Sequence, residues 1–179
     1  MGEKHNEPFQ LSFKNLANSA CIAAVLFVGD AFMFNQGIIA PGVMIVCLLV
    51  FLPRALWSLR TNRQLFRLRL AKVGIYIFGA MAVFTVNALQ NQMADRRAIM
   101  IGKDCLAFHA KYQRYPESLN ELVPEFLRSV PPAKYTLWGA PFFYVSRPEG
   151  GEPILYYQAL PPFGRRFYHM EKGYWGYLD

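Results

Sequence analysis

The chain has 179 residues, of which 54% are hydrophobic and 17% charged, and its formal net charge is +7. Soluble proteins carry about 25% charged residues, so this composition favours a membrane protein with room for a few spans and one small domain. Residues 54–72 carry six basic and no acidic side chains, whereas residues 91–179 carry eleven basic and nine acidic ones. Because the excess lies between two apolar runs, it indicates membrane topology rather than a nucleic-acid footprint.

Three apolar runs predict three transmembrane helices, at about 17–36, 38–57 and 70–90. Each approaches the roughly 20 residues that a helix needs to cross the hydrocarbon core. Asp30 interrupts the first run, and a carboxylate near the centre of a span is costly. Since Asp30 lies four residues before Phe34, we expect its side chain to reach the headgroup region. The long hydrophilic leader favours a retained signal anchor over a cleaved signal.

The basic linker predicts the orientation of these spans. Cytoplasmic loops are enriched in Lys and Arg, so the linker at 58–69 is expected in the cytoplasm together with the N-terminus. Three crossings then place residues 91–179 in the periplasm of a bacterial inner-membrane protein. A second hypothesis is that this linker forms a helix on anionic membrane lipids, or binds nucleic acid. The six basic residues that carry both interpretations are Arg54, Arg60, Arg63, Arg67, Arg69 and Lys72.

The third span is predicted to continue out of the membrane as one helix, over 70–113. No Pro interrupts this stretch, and its Gly102 is tolerable in a helix. Ile101, Cys105, Phe108 and Tyr112 are spaced by four, three and four residues, which predicts a one-sided apolar stripe. This stripe needs a partner to cover it.

The segment that follows predicts a corner and then a small sheet. Pro116 should end the long helix, and a short helix should place Leu119 and Leu122 in the core, capped by Ser118 or Glu117. Tyr115 should be largely buried at the corner. Beyond residue 132, aromatic segments of period two alternate with turn-forming residues, which predicts four or five short antiparallel strands. The segments lie at 134–138, 141–147, 154–160, 166–170 and 174–179, and the longer turns lie at 148–153 and 161–164. The fold class is therefore an α+β membrane protein, divided into a membrane domain at 1–90 and a second domain at 91–179.

Two short motifs lie in this half, "RYPESLNEL" after the long helix and "WGAPFFY" at the opening of the sheet. They resemble motifs of type IV pilins and of type II secretion pseudopilins, the major pseudopilin above all. The resemblance implies a pilin-like domain that acts in a secretion or pilus-type assembly. The prepilin cleavage motif and the acidic calcium-binding loop are missing, so processing and filament incorporation are not expected. The matching residues are Tyr115, Pro116, Ser118, Leu119, Leu122, Trp138, Gly139, Pro141 and Tyr144.

The sequence offers little support for an enzyme. It lacks the common hydrolase, zinc-protease and phosphate-loop motifs, and no Cys or His pair has metal-ligand spacing, so neither a metal nor a cofactor is predicted. Cys105 and His109 are neighbours on a helix and could form a nucleophile pair, although a buried Cys105 with His109 at the polar edge of the stripe is favoured. Glu121 and Glu125 are interpreted as solvated.

The favoured hypothesis is therefore a non-enzymatic membrane protein that presents an interaction domain, as an accessory or scaffold for other envelope or secretion-system proteins. The C-terminal half is crowded with Tyr, Phe and Trp, and about half of these suffice for the core of a sheet on a helix. The remainder predicts an outward contact surface for protein or glycan, with filling of a thin core or a position near the headgroups as the alternative. A membrane-anchored ligand-binding or toxin-immunity protein is the second functional candidate.

Overall fold

The structure of the protein is a computed structural model that describes residues 7–34, 39–146, 152–160 and 164–178. The chain forms two compact units, Met1–Val86 and Asn87–Asp179. The first is helical and the second combines a helix with an antiparallel sheet, so the predicted α+β class is confirmed. The connection at 35–37 between the first two predicted spans, most of the turns predicted at 148–153 and 161–164, and His5 and Asp179 lie outside the described residues.

Three helical segments in the described residues are long and apolar enough to cross a membrane: Lys14–Met33, Ile39–Thr61 and Arg63–Tyr112. The first comprises α1 (Glu7–Val28) and a π-helical turn (Gly29–Phe34), and the second comprises α2 (Ile39–Val46), a π-helical turn (Cys47–Phe51) and α3 (Leu52–Thr61). The third is α4 (Arg63–Tyr112). The three predicted span-length helices are therefore present. The basic linker is itself helical except at Asn62, whose side chain accepts hydrogen bonds from the backbone N–H groups of Gln64 and Leu65 at 2.9 and 3.1 Å.

Asp30 is buried, with 1% of its surface exposed. Its Oδ2 accepts a hydrogen bond from the backbone N–H of Ala40 at 2.9 Å, in the first turn of α2. The first N–H groups of a helix have no partner within the helix, and a carboxylate is favoured there by the helix dipole. The acidic residue in the first span therefore caps the start of the second.

The long helix α4 is continuous from Arg63 to Tyr112, and Gln113 follows with a φ of 55°. The predicted helix is thus confirmed, and it starts seven residues earlier than expected. Ile101, Cys105 and Phe108 are buried in the core, as the stripe predicted. Tyr112 is not: its ring is exposed, and its hydroxyl donates a hydrogen bond to Glu125 Oε2 at 2.8 Å.

Four strands form an antiparallel meander in the order β1 (Phe143–Val145), β2 (Ile154–Leu160), β3 (Gly164–His169) and β4 (Tyr174–Leu178). Leu155, Tyr157 and Ala159 of β2 are buried in the same core as the α4 stripe. The opposite face of β2 carries Tyr156 and Gln158, because successive strand side chains point to opposite faces. The predicted strand at 134–138 is absent, and that segment forms only a bridge between Lys134 and Ala140.

Gly102 has a role that the sequence did not indicate. A methyl group built on its Cα lies 2.8 Å from Cε1 of Tyr168, which belongs to β3. The absence of a side chain therefore lets the sheet approach α4 closely at this point.

Candidate functional site: the outer face of the sheet

The two sequence motifs meet at the corner that follows α4. The hydroxyl of Tyr144 donates a hydrogen bond to the carbonyl oxygen of Pro116 at 2.9 Å. Pro116 is buried, and Leu119 and Leu122 lie in the core as predicted. Burial raises the pKa of the Tyr144 hydroxyl, so it remains a hydrogen-bond donor. This contact joins the start of the sheet to the end of the helix.

The capping prediction at this corner is wrong. Ser118 occupies the N-cap position of the 3₁₀ turn Leu119–Leu122, but its side chain makes no capping hydrogen bond. Glu121 instead ties the turn to the chain before it: its Oε1 accepts a hydrogen bond from the backbone N–H of Glu117 at 2.9 Å, and its Oε2 pairs with Arg114 at the same distance. Glu125 also has partners, Lys111 and Tyr112. Both carboxylates therefore have protein partners, whereas the sequence alone indicates solvated side chains.

Tyr115 is only partly buried, in contrast to the prediction. Its ring stacks on His109 with 4.3 Å between centroids, and its hydroxyl donates a hydrogen bond to Glu171 in the β3–β4 turn. The corner thus contacts both α4 and the far end of the sheet.

The second motif forms an exposed turn before β1. Trp138 is 75% exposed and Pro141 is also exposed. Gly139 has a φ of 71°, a left-handed conformation that favours glycine. Two residues of this motif point inward: Phe142 lies in the core, and Tyr144 reaches the corner.

An aromatic row crosses the outer face of the sheet, opposite the face that packs on α4. Phe143, Tyr156 and Phe167 are directly paired across β1, β2 and β3, and Gly176 of β4 is paired with Phe167. Directly opposed residues project to the same face of a sheet. The rings of Phe143 and Tyr156 stack, with 5.1 Å between centroids and 15° between planes. The ring of Phe167 lies over Gly176.

Tyr174 extends this row to the edge strand. Its ring meets Phe167 edge-on, with 6.0 Å between centroids, and stacks on His169 at 5.0 Å. We use the name outer aromatic row for Phe143, Tyr156, Phe167 and Tyr174. Phe143 and Tyr174 are 45% and 46% exposed, so the two ends of the row are open to solvent.

Charged groups border the row at its Tyr174 end. His169 Nε2 lies 2.8 Å from Glu152 Oε2, and Lys172 Nζ lies 3.7 Å from Glu152 Oε1. An apolar centre with a charged rim is the usual composition of a protein contact surface. The row and its rim could therefore receive a partner by stacking, with charged contacts at one side.

A polar cluster on the helix-facing side fixes the sheet on α4. The hydroxyl of Tyr157 donates a hydrogen bond to Asp95 Oδ1 at 2.7 Å, and Arg166 pairs with Asp95 Oδ2 at 3.3 Å. Lys134 is 2% exposed, and its ammonium donates to the backbone oxygen of Ala159 at 2.8 Å and to Asn87 Oδ1 at 3.3 Å. Burial lowers the pKa of Lys134 to about 8.

The cysteine considered as a nucleophile is fully buried. Burial, with a smaller contribution from Asp104, raises the pKa of Cys105 to about 12. A thiol reacts as its thiolate, and this one stays protonated at neutral pH. His109 stacks on Tyr115. In the described part of the chain, no group of three or more His, Cys, Asp or Glu side chains could hold a metal ion.

The six basic residues of the linker fall into two sets. Arg54, Arg69 and Lys72 line one cavity between helices, whereas Arg60, Arg63 and Arg67 do not line it and are exposed. The guanidinium of Arg69 also donates a hydrogen bond to the backbone oxygen of Arg54 at 2.9 Å, which joins α4 to α3.

Comparisons with family models, with curated proteins and with solved structures gave no match for this chain.

Proposed function

We propose that this protein is a non-enzymatic membrane protein whose second unit, Asn87–Asp179, binds another protein through the outer aromatic row. Its place is an accessory or scaffold role in a secretion or pilus-type assembly of the bacterial inner membrane. In this proposal the N-terminus and the basic linker are cytoplasmic, and the sheet is periplasmic. The observation that carries the proposal is the register of Phe143, Tyr156 and Phe167, which lines up three rings on the solvent side.

The packing of the domain supports a contact role for these rings. The core on the helix side already has its own aromatic residues, Phe142 and Tyr157, which are buried. Phe143 and Tyr156 are stacked on the other face and add nothing to that core. Tyr, Trp and Phe are enriched at protein interfaces, since they bury a large area with few rotatable bonds.

The assignment to a secretion or pilus-type assembly rests on the resemblance of the two motifs. Two features of the fold support this assignment. The helix α4 is 50 residues long and contains a long apolar stretch before the second unit. The inner residues of the antiparallel sheet share a core with Ile101, Cys105 and Phe108 of that helix. The hydrogen bond between Tyr144 and Pro116 gives both motifs a structural purpose. The proposed interaction surface shares only Phe143 with the second motif, and its other three residues lie outside both motifs.

A second candidate is a membrane-anchored protein that captures a periplasmic ligand or a toxin. The charged rim of Glu152, His169 and Lys172 favours this candidate, because it borders the row on one side and could recognise a charged group. The two candidates share a surface and differ in what occupies it.

Co-purification tests the proposal. The full-length protein is isolated from its native membranes after mild chemical cross-linking, as the parent and as the double variant Phe143→Ser/Tyr156→Ser. We expect envelope or secretion-system proteins with the parent and a loss of at least tenfold in the variant. Tyr135→Ser is the matched control, since Tyr135 is an exposed aromatic residue outside the row. Equal recovery from the parent and the double variant contradicts the proposal, and recovery of a secreted toxin alone favours the second candidate.

A further inference from the structure

A cavity of about 320 Å³ lies between the helices of the first unit, and its polar lining is strongly basic. Arg54 comes from α3, Arg69 and Lys72 come from α4, and Ser19 comes from α1. The volume falls at the lower end of small-molecule sites, which span roughly 300–1,000 Å³. Two helices thus bring three cations to one place, and a third helix contributes a hydroxyl group.

These three cations have no acidic partner in the described residues. No ion pair involves Arg54, Arg69 or Lys72, and the sequence contains no Asp or Glu between Asp30 and Asp95. Like charges held together without a counter-charge repel each other, so an anion in this cavity is stabilising. The cavity therefore has the electrostatic character of an anion site.

The remaining walls of the cavity are apolar or amphipathic. Phe51, Val73 and Tyr76 line it beside the cations, and the rings of Phe51 and Tyr76 are 6.4 Å apart. Phe51 is 40% exposed, and the next residues before it, Leu48, Leu49 and Val50, are exposed apolar side chains of the second span. An anion with an attached apolar chain matches this arrangement, whereas a free inorganic anion matches only the basic half.

We propose that this cavity binds the phosphate group of an anionic phospholipid, with Arg54, Arg69 and Lys72 around the phosphate and the acyl chains along the second span. Basic pockets between membrane helices are known to hold anionic lipid headgroups. Arg guanidinium groups suit phosphate oxygens because their donors form a planar fork, and Arg69 is already oriented by its hydrogen bond to the backbone of Arg54. The same chemistry is offered by free phosphate, and the experiment separates the two sources.

Native mass spectrometry of the full-length protein tests this site. The protein is released from nanodiscs that contain phosphatidylglycerol and phosphatidylcholine in equal amounts, and the retained lipids are counted. We expect the parent to retain phosphatidylglycerol preferentially. Arg54→Gln and Lys72→Gln should each lower that preference about fivefold, the change that corresponds to about 1 kcal/mol per cation. Lys72→Arg should keep it.

Arg60→Gln is the matched control, because Arg60 belongs to the same basic linker but is exposed and lies away from the cavity. An unchanged preference in this variant, with a loss in the other two, supports a defined site. Equal loss in all three variants, or no preference in the parent, overturns the proposal. In a second arm, inorganic phosphate is added to nanodiscs of phosphatidylcholine alone. If it raises the unfolding temperature as much as phosphatidylglycerol does, the ligand is a soluble phosphate and the lipid assignment is wrong.

Discussion

The hydroxyl of Tyr144 donates a hydrogen bond to the carbonyl oxygen of Pro116 at 2.9 Å and thereby joins the beginning of the sheet to the corner after α4. Tyr144 ends the "WGAPFFY" segment, and Pro116 belongs to the "RYPESLNEL" segment 28 residues earlier. The two motifs that looked separate in the sequence therefore form one structural joint.

Tyr144→Phe removes this hydrogen bond and keeps the ring. We expect the free energy of unfolding to fall by about 0.5–1.5 kcal/mol, the usual contribution of one hydrogen bond, and pulse proteolysis of the full-length protein in urea measures the change. Tyr156→Phe is the matched control, because Tyr156 lies on the adjacent strand and faces outward. Equal effects of the two substitutions would show that the joint adds nothing specific.

Glu121 also stabilises the corner, which revises the sequence interpretation of this residue as solvated. Glu121→Ala removes the acceptor for the Glu117 N–H and the partner of Arg114. We expect a loss of about 1 kcal/mol or less, since the pair is partly exposed, against about 2–5 kcal/mol for Leu119→Ala in the core. The protease resistance of both variants is compared with that of Glu117→Ala, whose side chain is exposed. A Leu119→Ala variant as resistant as the parent, but deficient in partner binding, would mean that the corner is a functional surface.

Lys134 should give the second unit a pH-dependent stability. Burial lowers its pKa from 10.5 to about 8 in the folded chain. Between these two values the unfolded chain binds more protons than the folded one, so the free energy of unfolding rises with pH, by up to about 1.4 kcal/mol per pH unit. Below the folded pKa both states are charged, and burial of the ammonium costs stability in full.

Pulse proteolysis between about pH 7.5 and 9.5 measures this slope. Burial raises the pKa of Cys105 to about 12, so this thiol ionises only in the unfolded chain within the window and lowers the slope in every variant. The contribution of Lys134 is therefore the difference in slope between the parent and Lys134→Met. Higher pH is avoided because Tyr115, Tyr144 and Tyr157 have raised pKa values, which reverse the slope as unfolded tyrosines ionise. We expect Lys134→Met to abolish the rise and Lys103→Met, at an exposed position on α4, to preserve it. A rise of the same size in the Lys134→Met variant contradicts the assignment.

The predicted orientation depends on the six basic residues of the linker. A periplasm-active reporter enzyme fused after Asp179 should be active, and the same reporter inserted at Asn62 should be inactive. Reporter activity per unit of fusion protein is the measurement. The opposite pattern contradicts the assignment of the linker to the cytoplasm.

The spacing of apolar residues was sufficient to predict the helices and strands whose side chains follow a single helical or period-two pattern. The uninterrupted helix, the inward positions of Ile101, Cys105 and Phe108, and the antiparallel sheet all follow from spacing in the sequence. Tyr112 continues the same spacing but lies in the last turn of α4, beyond the core, so its hydroxyl bonds to Glu125.

Features that depend on a tertiary approach were not predictable in this way. The sequence shows only that Asp30 is a costly residue within a span, and the backbone N–H of Ala40 that binds its carboxylate becomes visible only in the fold. In the sequence, Gly102 is a residue of low helix propensity, and the reason for it appears only when the fold places the ring of Tyr168 against its Cα. The outer aromatic row depends on strand register, and a shift of one residue would turn each ring to the other face.

Site-specific photo-cross-linking from the outer aromatic row is the most direct test of the central claim, that this surface receives another protein. A benzoylphenylalanine at position 143 replaces one aromatic residue by another, and the same group at position 103 serves as the exposed control on α4. After irradiation of intact cells, the account predicts a discrete protein adduct from position 143 and none from position 103. Adducts of equal yield from both positions, or no protein adduct from position 143 at normal expression, would contradict it.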